Sequence, residues 1–433
     1  MNCKTTYFLF LTVCLFIAVN LQAQPLAEAK PETVGISSKQ LENIDALFQQ
    51  YIDKNWLPGG TVLIARKGKV AYFKTFGNKD VDAKIPYQKD DIFRLASMTK
   101  SVTTVATFML FEKGLFRLDD PVWWYLPEWK DAKVLDSFNE ADSTYTTVEA
   151  KNPITIRHLL THSSGISYDF ISKVSGAIYA KNGATVMDLA GQGMTTASMS
   201  KRLSEQPLMH QPGEKFTYGH STDVLGRLVE VLSGQTLGQF CSEYIFKPLS
   251  MKETHFYLPK NLSARLVPVY YEVQNKGLNK HDIRTYTYAY PMMEERDYFS
   301  GGAGLSSTTM DYAIFAQMLL NKGSYNGKHI LGRKTVELMT ATDQLQHLGI
   351  EDYGLMGKNG ATFSLGFSML TESSLSRTSG SVGTFGWGGI FNTKYWVDPV
   401  EDMVMVAMTQ VYPSYHPEFW EKLYAIIYGA LED

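Results

Sequence analysis

The sequence has few cysteines, no surplus of basic residues and no long apolar run beyond its first two dozen residues. Only three of its 433 residues are cysteines, and two of these, Cys3 and Cys14, lie near the N-terminus. Lys and Arg number 41 against 44 Asp and Glu, so the chain lacks the positive charge that would neutralise a nucleic-acid backbone. We therefore expect neither a disulfide scaffold nor nucleic acid as a partner.

Two common hydrolase signatures are also missing. No G-x-S-x-G occurs, so the nucleophile elbow of an α/β-hydrolase is not predicted. His158 and His162 stand four residues apart, as helical metal ligands do, but Leu159 replaces the glutamate of H-E-x-x-H. With no cluster of cysteines and carboxylates either, we predict structural roles for both histidines, no metal site and no cofactor.

The chain does contain a large apolar fraction and an export-like N-terminus. Hydrophobic residues make up 44% and aromatic residues 13%, which is enough for one large or two intermeshed domains. Lys4, an apolar run from Tyr7 to Val19 and small residues up to Ala23 have the plan of a secretory signal peptide. The run is too short to span a bilayer. We expect residues 1–23 to be removed, and a periplasmic or secreted enzyme with no stable membrane insertion.

The periodicity of the remaining chain predicts its organisation. Residues 24–36 have the composition of a linker, and residues 37–433 form the catalytic region. Helices are predicted at 38–52, 98–114 and 417–430, a hairpin at 61–76, and strand-like runs at 363–369 and 393–410. We expect an α/β part at about 37–90 and 305–433 and a helical part at about 91–304, with the active site between them.

The strongest candidate for a nucleophile is the serine of Ser97-Met-Thr-Lys100. This spacing brings the hydroxyl and the amine to one helix face, and a buried lysine can accept the proton of a serine. The pattern occurs again at Ser198-Met-Ser-Lys201, so it is weak alone. Only the first copy opens a strongly apolar helix, which is the setting that a buried lysine requires.

The segment FRLASMTKS at residues 93–101 resembles the nucleophile motif of the serine β-lactamase and penicillin-binding superfamily, in its class C β-lactamase and family VIII carboxylesterase branch. Further similar motifs follow in order: 154–165 (ITIRHLLTHSSG), 211–214 (QPGE), 300–307 (SGGAGLSS), 387–389 (WGG) and 396–399 (WVDP). The resemblance implies a β-lactamase-like fold, α/β plus all-α, in which an antiparallel sheet is flanked by helices and a helical domain is inserted.

The family's Tyr-x-Asn motif falls on Tyr218-Gly-His220, so the tyrosine is present and the asparagine is not. The resemblance implies that Tyr218 moves protons between Ser97, Lys100 and the leaving group. His220 either donates a hydrogen bond to the substrate in place of the asparagine or takes no part, and both readings stay open.

The third family motif, Lys-Thr-Gly in β-lactamases, reads Trp387-Gly388-Gly389, as in several family VIII carboxylesterases. An indole in place of an ammonium group predicts neutral or apolar acyl groups at this position. The two glycines would let the substrate approach the strand. By resemblance, the backbone N–H groups of Ser97 and Ile390 form the oxyanion hole.

These residues predict an exported serine hydrolase that cleaves carboxylic esters through an acyl-enzyme on Ser97. A β-lactamase or D-aminoacyl peptidase acting on wall-derived peptides is the enzymatic alternative. A weakly catalytic binding or sensor protein is the alternative from another class, because the asparagine and the third-motif lysine are absent. The expected partner is a small-molecule ester or amide, and the sequence does not indicate an oligomeric state.

Overall fold

The computed structural model describes residues 26–185, 193–274, 276–282, 290–292, 297–354 and 360–433, so the predicted signal peptide lies outside the described residues. The strands are β1 Ala27–Glu28, β2 Gly59–Arg66, β3 Lys69–Asp80, β4 Ile85–Pro86, β5 Ile92–Arg94, β6 Lys133–Asn139, β7 Thr144–Glu149, β8 Tyr270–Val273, β9 Gly277–Lys280, β10 Ser306–Thr308, β11 Ser324–Tyr325, β12 Lys328–His329, β13 Ala361–Phe363, β14 Ser368–Leu370, β15 Phe385–Gly389, β16 Thr393–Asp398 and β17 Met403–Met408.

The α-helices are α1 Ser38–Asp53, α2 Thr99–Glu112, α3 Ile156–Leu160, α4 Lys173–Lys181, α5 Thr196–Ser204, α6 Ser221–Ser233, α7 Leu237–Cys241, α8 Lys247–Leu249, α9 Thr309–Leu320, α10 Arg333–Thr340, α11 Gln344–His347 and α12 Glu418–Tyr428. Short 3₁₀ helices cover Pro31–Val34, Ala96–Met98, Val122–Trp124, Pro127–Trp129, Lys260–Arg265 and Glu372–Ser376, and Ser242–Phe246 is π-helical.

A twisted sheet built from both ends of the described chain forms the centre of the fold. Its strand order is β1-β3-β2-β17-β16-β15-β14-β13, with β4 attached to β3. Strands β2 and β3 form the predicted hairpin, and β2 also pairs with β17 from the other end of the chain. Neighbouring strands are antiparallel except β1 and β3, which are parallel, so the sheet is mixed rather than purely antiparallel.

The sheet is covered on both faces, which its side chains explain. Successive residues of a strand point to opposite faces. In β2, Val62 and Ile64 therefore join one buried cluster with α1 and α12, whereas Leu63 and Ala65 join a second cluster with α2 and α9. The fully buried strand reads as a continuous apolar run for this reason. The β-lactamase-like arrangement of a sheet between helical layers is confirmed.

The helical elements between β5 and β10 contribute the wall opposite the sheet. Helix α2 packs against α6, and α6 contacts α3, α5 and α7. Strands β5 and β10 pair with each other where the chain leaves the sheet region and where it returns. The division into an α/β part and a helical part, with the boundaries given above, stays a prediction.

The segment expected to be a linker departs from that expectation in its described part. Strand β1 pairs with β3, the 3₁₀ helix Pro31–Val34 follows it, and Leu26, Val34 and Ile36 are buried. Proline and alternating charges dominate the composition of this segment, but its three large aliphatic residues are spaced so that they reach the core. Their burial holds the segment against the sheet.

Candidate active site

Ser97 lies on the wall of a cavity of about 550 Å³, where the sheet edge faces the helical region. The cavity is lined by Ser97, by the β15 residues from Phe385 to Gly389 with Ile390, and by the aromatic side chains of Phe170, Tyr218, Trp387, Trp396, Trp420 and Tyr424, among others. A larger cavity of about 990 Å³ lies near α10 and β14, but its lining includes no serine paired with a buried lysine. The chemistry therefore identifies the smaller cavity as the candidate site.

The nucleophile candidate sits in a strained turn at the entry to α2. Ser97 belongs to the 3₁₀ helix Ala96–Met98, and the preceding Ala96 has a φ of 44°. An alanine in this left-handed region costs free energy that the surrounding structure must supply. Such strain is common where a reacting side chain has to be presented to a ligand.

Lys100 is buried at 3% exposure, one helical turn after Ser97. Its Nζ donates hydrogen bonds to Ser97 Oγ at 3.2 Å, to Tyr168 Oη at 2.9 Å and to the carbonyl oxygen of Gly302 at 2.8 Å. As an ammonium group Lys100 can donate to all three partners, and as a neutral amine it keeps two N–H groups for Tyr168 and Gly302 and has a lone pair for the proton of Ser97. The structure therefore brings the predicted Ser97 and Lys100 together, with the lysine held rigidly against the serine.

A buried carboxylate supports the carbonyl that holds the lysine. Asp223 Oδ1 accepts hydrogen bonds from Ser300 Oγ at 2.6 Å and from the Gly302 N–H at 3.1 Å, and Oδ2 lies 3.0 Å from His220 Nδ1. Burial acts to raise the pKa of Asp223, but the hydrogen bonds from His220 and Ser300 and the charge of Lys100 outweigh it and hold the pKa below its ordinary value.

This arrangement disfavours the predicted role of His220 in substrate binding. The His220 ring is 1% exposed, contacts Asp223 and lies 4.3 Å from the Tyr168 ring between centroids. It is not among the described residues that line the Ser97 cavity. The side chain follows Gly219 into the start of α6 and turns inward to satisfy Asp223, so it takes a supporting position instead of replacing the asparagine.

Tyr168 is a candidate functional residue that the sequence did not single out. Its hydroxyl accepts a hydrogen bond from Lys100, and burial, followed by the nearby Asp223 carboxylate, raises the pKa of its phenol well above the ordinary value. Tyr168 lies three residues after the motif at 154–165. That position was the available signal, but a single tyrosine among 25 carries no pattern of its own.

Tyr218 reaches the cavity by a different contact from the one predicted. Lys100 Nζ lies over its ring, 4.7 Å from the centroid, while the hydroxyl accepts a hydrogen bond from Trp387 Nε1 at 3.1 Å. These two contacts hold the Tyr218 side chain between the Lys100 amine and the Trp387 indole. The structure thus groups Lys100, Tyr218 and Trp387, although the lysine is hydrogen-bonded to Tyr168.

His162 fixes the segment that carries Tyr218. Its carbonyl accepts a hydrogen bond from the Thr217 N–H at 2.7 Å, and its Nδ1 accepts one from the Gly219 N–H at 3.4 Å. Burial lowers the pKa of His162 well below its ordinary value, so the ring is neutral and can accept. The predicted structural role of this histidine agrees with these contacts.

The end of β15 approaches the nucleophile closely because it lacks side chains. A Cβ atom at Gly389 would lie 2.2 Å from the Leu95 carbonyl oxygen, so only glycine fits there. This contact brings the following Ile390 to the same cavity wall as Ser97. The predicted pairing of their N–H groups in an oxyanion hole stays a prediction.

Arg94 and His158 lie in structural positions. Arg94 is buried, and its guanidinium donates to the carbonyl oxygens of Tyr290 and Val267. His158 Nδ1 accepts the Thr155 N–H in a capping box at the start of α3, and burial lowers its pKa to about 4. Within the described residues, no group of three or more His, Cys, Asp or Glu side chains could hold a metal ion.

Known proteins match this chain in sequence and in fold. A serine hydroxyl held by a buried lysine one helical turn later, in a sheet-and-helix fold of this kind, defines a β-lactamase-related serine hydrolase. The Beta-lactamase family model matches residues 44–423, and the chain belongs to this family.

Similar proteins include both enzymes and a protein without a functional name. Protein Rv1367c of Mycobacterium tuberculosis is 32% identical over 380 residues, which are 86% of this chain and 91% of that protein. Esterase EstB of Burkholderia gladioli is 26% identical over 378 residues, 84% of this chain and 89% of the esterase. The structure of EstCE1, a hydrolase with promiscuous acyltransferase activity, superposes with a TM-score of 0.75 at 25% identity, covering 90% of this chain and 98% of EstCE1.

Proposed function

We propose that this protein is an exported enzyme that hydrolyses carboxylic esters through an acyl-enzyme on Ser97. The observation that carries the proposal is the hydrogen bond from Lys100 to Ser97 Oγ at 3.2 Å, on the wall of a cavity rich in aromatic side chains. A serine hydroxyl is a weak nucleophile at its ordinary pKa, and a fixed neighbouring amine is a base that can activate it.

The first half of the reaction transfers the acyl group to the protein. With Lys100 in its neutral form, Ser97 Oγ attacks the ester carbonyl carbon while its proton moves to the lone pair of the Lys100 amine. The carbonyl oxygen becomes an oxyanion, which the N–H groups of Ser97 and Ile390 stabilise. Collapse of this intermediate breaks the bond to the alcohol, whose oxygen takes a proton from Tyr218, and Lys100 returns a proton to Tyr218. Water then repeats these steps as the nucleophile and releases the acid.

The two tyrosines near Lys100 have different roles in this scheme. Tyr168 stays protonated because its phenol is buried beside a carboxylate, so it positions the lysine. Tyr218 lines the cavity, and its oxygen receives the Trp387 N–H, so it is the phenol that can exchange a proton with a leaving group.

Trp387 supports an ester over an anionic β-lactam as the substrate. An ammonium group at this position would offer a charge-assisted hydrogen bond to a carboxylate, whereas the indole offers apolar surface and is itself bonded to Tyr218. Two named similar proteins, an esterase and a hydrolase, agree with this choice. A β-lactamase or D-aminoacyl peptidase would prefer β-lactams or wall-derived peptides to esters. A weakly catalytic binding or sensor protein would turn over no substrate efficiently.

The test compares kcat/KM for a short-chain neutral ester with that for a cephalosporin. We expect the ester to be cleaved much faster. A preference for the cephalosporin would refute the esterase assignment and leave the acyl-enzyme standing, whereas a stable adduct without turnover would favour the sensor.

Export is the second part of the proposal, and the N-terminal sequence supports it. The segment up to Ala23 has the length and polarity of a cleaved signal peptide, and no helix of the described residues is long and apolar enough to cross a membrane. N-terminal sequencing of the protein from the periplasm or medium of an expressing bacterium should begin at Gln24. A chain that retains Met1 and stays inside the cell would contradict export.

A further inference from the structure

The cavity that contains Ser97 also contains a lysine that the proposed mechanism does not use. Lys394 lies on β16 and lines the cavity together with Ser97. Its side chain makes no hydrogen bond and no ion pair with the described residues, and its Nζ lies 5.8 Å from the centroid of the Trp420 ring. Within the described residues, the cavity wall therefore carries a lysine amine whose one contact of this kind is the Trp420 ring and which has no hydrogen-bonded or ion-paired partner.

The strand register places this cation on the far side of β15 from Trp387. Across the β15–β16 pair, Trp387 is opposite Tyr395 and Gly388 is opposite Lys394. Residues opposite each other share a face and successive residues alternate, so Trp387 points toward α2 and Lys394 points toward α12. A ligand that touches both must cross the strand.

Glycine makes that crossing possible. In the described chain, β14 pairs with β15 only through Phe385 and Gly386, so the stretch from Trp387 to Gly389 has no neighbouring strand on that side. A Cβ atom at Gly388 would lie 3.1 Å from the Thr393 carbonyl oxygen and 3.9 Å from Lys394 Cγ, on the same face of the sheet as the lysine stem. With no side chain at Gly388, one cavity is lined by Ser97, Gly388 and Lys394 together.

The surroundings of Lys394 suit an anion. Burial lowers the pKa of its amine, and the exposed Glu421 is the one group that acts in the opposite direction. A partly buried ammonium without a hydrogen-bonded partner is costly, and a bound carboxylate would remove that cost. The Trp420 ring beside it is fixed by a hydrogen bond from its Nε1 to Asn392 Oδ1 at 2.7 Å.

We propose that Lys394 binds a carboxylate at the far end of the substrate, so that the preferred substrates are esters with an acidic arm that crosses β15 at Gly388. This inference rests on the proposed esterase function and narrows its substrate class. It also refines the expectation that Trp387 favours neutral or apolar groups. The part of the substrate beside the indole is apolar, and the carboxylate of the same substrate lies beyond it, at Lys394.

The experiment compares matched esters that differ in one terminal group. Benzyl hemiesters of short, intermediate and long dicarboxylic acids carry the acid on the acyl side, and butyrate esters of ω-hydroxy acids carry it on the alcohol side. Each acidic ester is compared with a neutral analogue in which a methyl group replaces the terminal acid. The kcat/KM of every ester is measured for wild type, Lys394→Met, Lys394→Arg and the control Lys39→Met. The control changes an exposed lysine that does not line the cavity.

We expect wild type and Lys39→Met to prefer the acidic ester of one series at one chain length. Lys394→Met should lower the acidic-to-neutral ratio of kcat/KM by about ten- to a hundred-fold, as expected for a charge-assisted hydrogen bond, and Lys394→Arg should retain much of it. The proposal is overturned if wild type shows no preference at any length in either series, or if Lys394→Met lowers acidic and neutral rates equally.

A binding measurement tests the carboxylate site at Lys394 independently of the proposed ester hydrolysis. Ser97→Ala cannot turn the ester over, so calorimetry with the intermediate hemiester reports affinity alone. We expect Ser97→Ala to bind it at least about tenfold more tightly than Ser97→Ala with Lys394→Met. Equal affinities of the two proteins for the hemiester would refute the carboxylate site at Lys394, even if wild type hydrolyses esters. Weaker binding by the protein with the additional Lys394→Met change would support the site, even if wild type hydrolyses no ester.

Discussion

The two Ser-x-x-Lys segments of this chain have the same spacing and opposite surroundings. Lys100 is 3% exposed and donates to Ser97, Tyr168 and Gly302 at the entry of the buried helix α2. Lys201 is exposed on α5, and the hydroxyl of Ser198 bonds to the backbone of Thr195 as part of a capping box.

The comparison shows that burial and acceptors, not spacing, make a lysine able to act on a serine. A helix brings any pair at this spacing to one face. Only at Ser97 does the surrounding fold remove water, supply a carbonyl and a phenol for the lysine, and leave the serine facing a cavity. The second copy uses its serine to complete a helix N-terminus.

The largest expected effect separates the two serines. Ser97→Ala should lower kcat for a neutral ester by several orders of magnitude, because no other serine or threonine hydroxyl of the described residues is hydrogen-bonded to Lys100. Ser198→Ala should stay within about twofold of wild type, since it only loosens a capping box. Initial rates of ester hydrolysis by the two purified variants test this prediction. An equal loss of kcat in both variants would show that the surroundings of the two serines do not distinguish their roles.

The next effect separates the two lysines. Lys100→Met should collapse turnover at neutral pH, and adding Tyr218→Phe should cost little more, because both residues serve one proton transfer. Lys201→Met should have no effect on kcat/KM. Full double-mutant kinetics test this, and additive losses for Lys100 and Tyr218 would show that they act in separate steps.

A smaller loss is expected for the tyrosine that the sequence did not reveal. Tyr168→Phe removes one charge-assisted acceptor from Lys100 and should lower kcat by about ten- to a hundred-fold with little change in KM. Because Tyr168 positions the lysine, the pH at which kcat is half-maximal should also move. An unchanged pH profile together with an unchanged kcat would remove Tyr168 from the site, and a loss as large as that of Lys100→Met would make it part of the proton transfer.

The smallest effect belongs to the second copy and concerns stability alone. Thr195→Ala removes the side-chain acceptor of the Ser198 N–H at the start of α5 and should lower the free energy of unfolding by about 1 kcal/mol. Denaturant unfolding measures this change. Ester turnover at 25 °C should be unaffected, and a loss of activity in the folded variant would mean that α5 takes part in catalysis.

Much of the fold could be predicted from the sequence because local patterns decide it. The apolar, β-branched and aromatic residues of β2 and β3 and the periodicity of α1 and α12 predict elements within a few residues of those observed. The parallel pairing of β1 was not predictable, since a strand of two residues has no periodicity and its place depends on the distant β3.

The site could be predicted only where a motif carries it. Ser97, Lys100, Tyr218 and Trp387 meet as expected, but the hydrogen bonds among them differ from the expected ones. The tyrosine that is hydrogen-bonded to Lys100 is Tyr168, which lies 68 residues away in sequence. The inward orientation of the His220 side chain depends on its contact with Asp223. Such choices are made by packing between elements, which a one-dimensional pattern does not contain.

The central claim is that Ser97 is the residue that carries the acyl group. Intact-protein mass spectrometry after exposure to an activated ester, followed by peptide mapping, tests it most directly on wild type, Ser97→Ala and Ser198→Ala. We expect a single acyl adduct on the peptide containing Ser97 in wild type and Ser198→Ala, and none in Ser97→Ala. An adduct that persists in Ser97→Ala, or that maps to Ser198, would contradict the account.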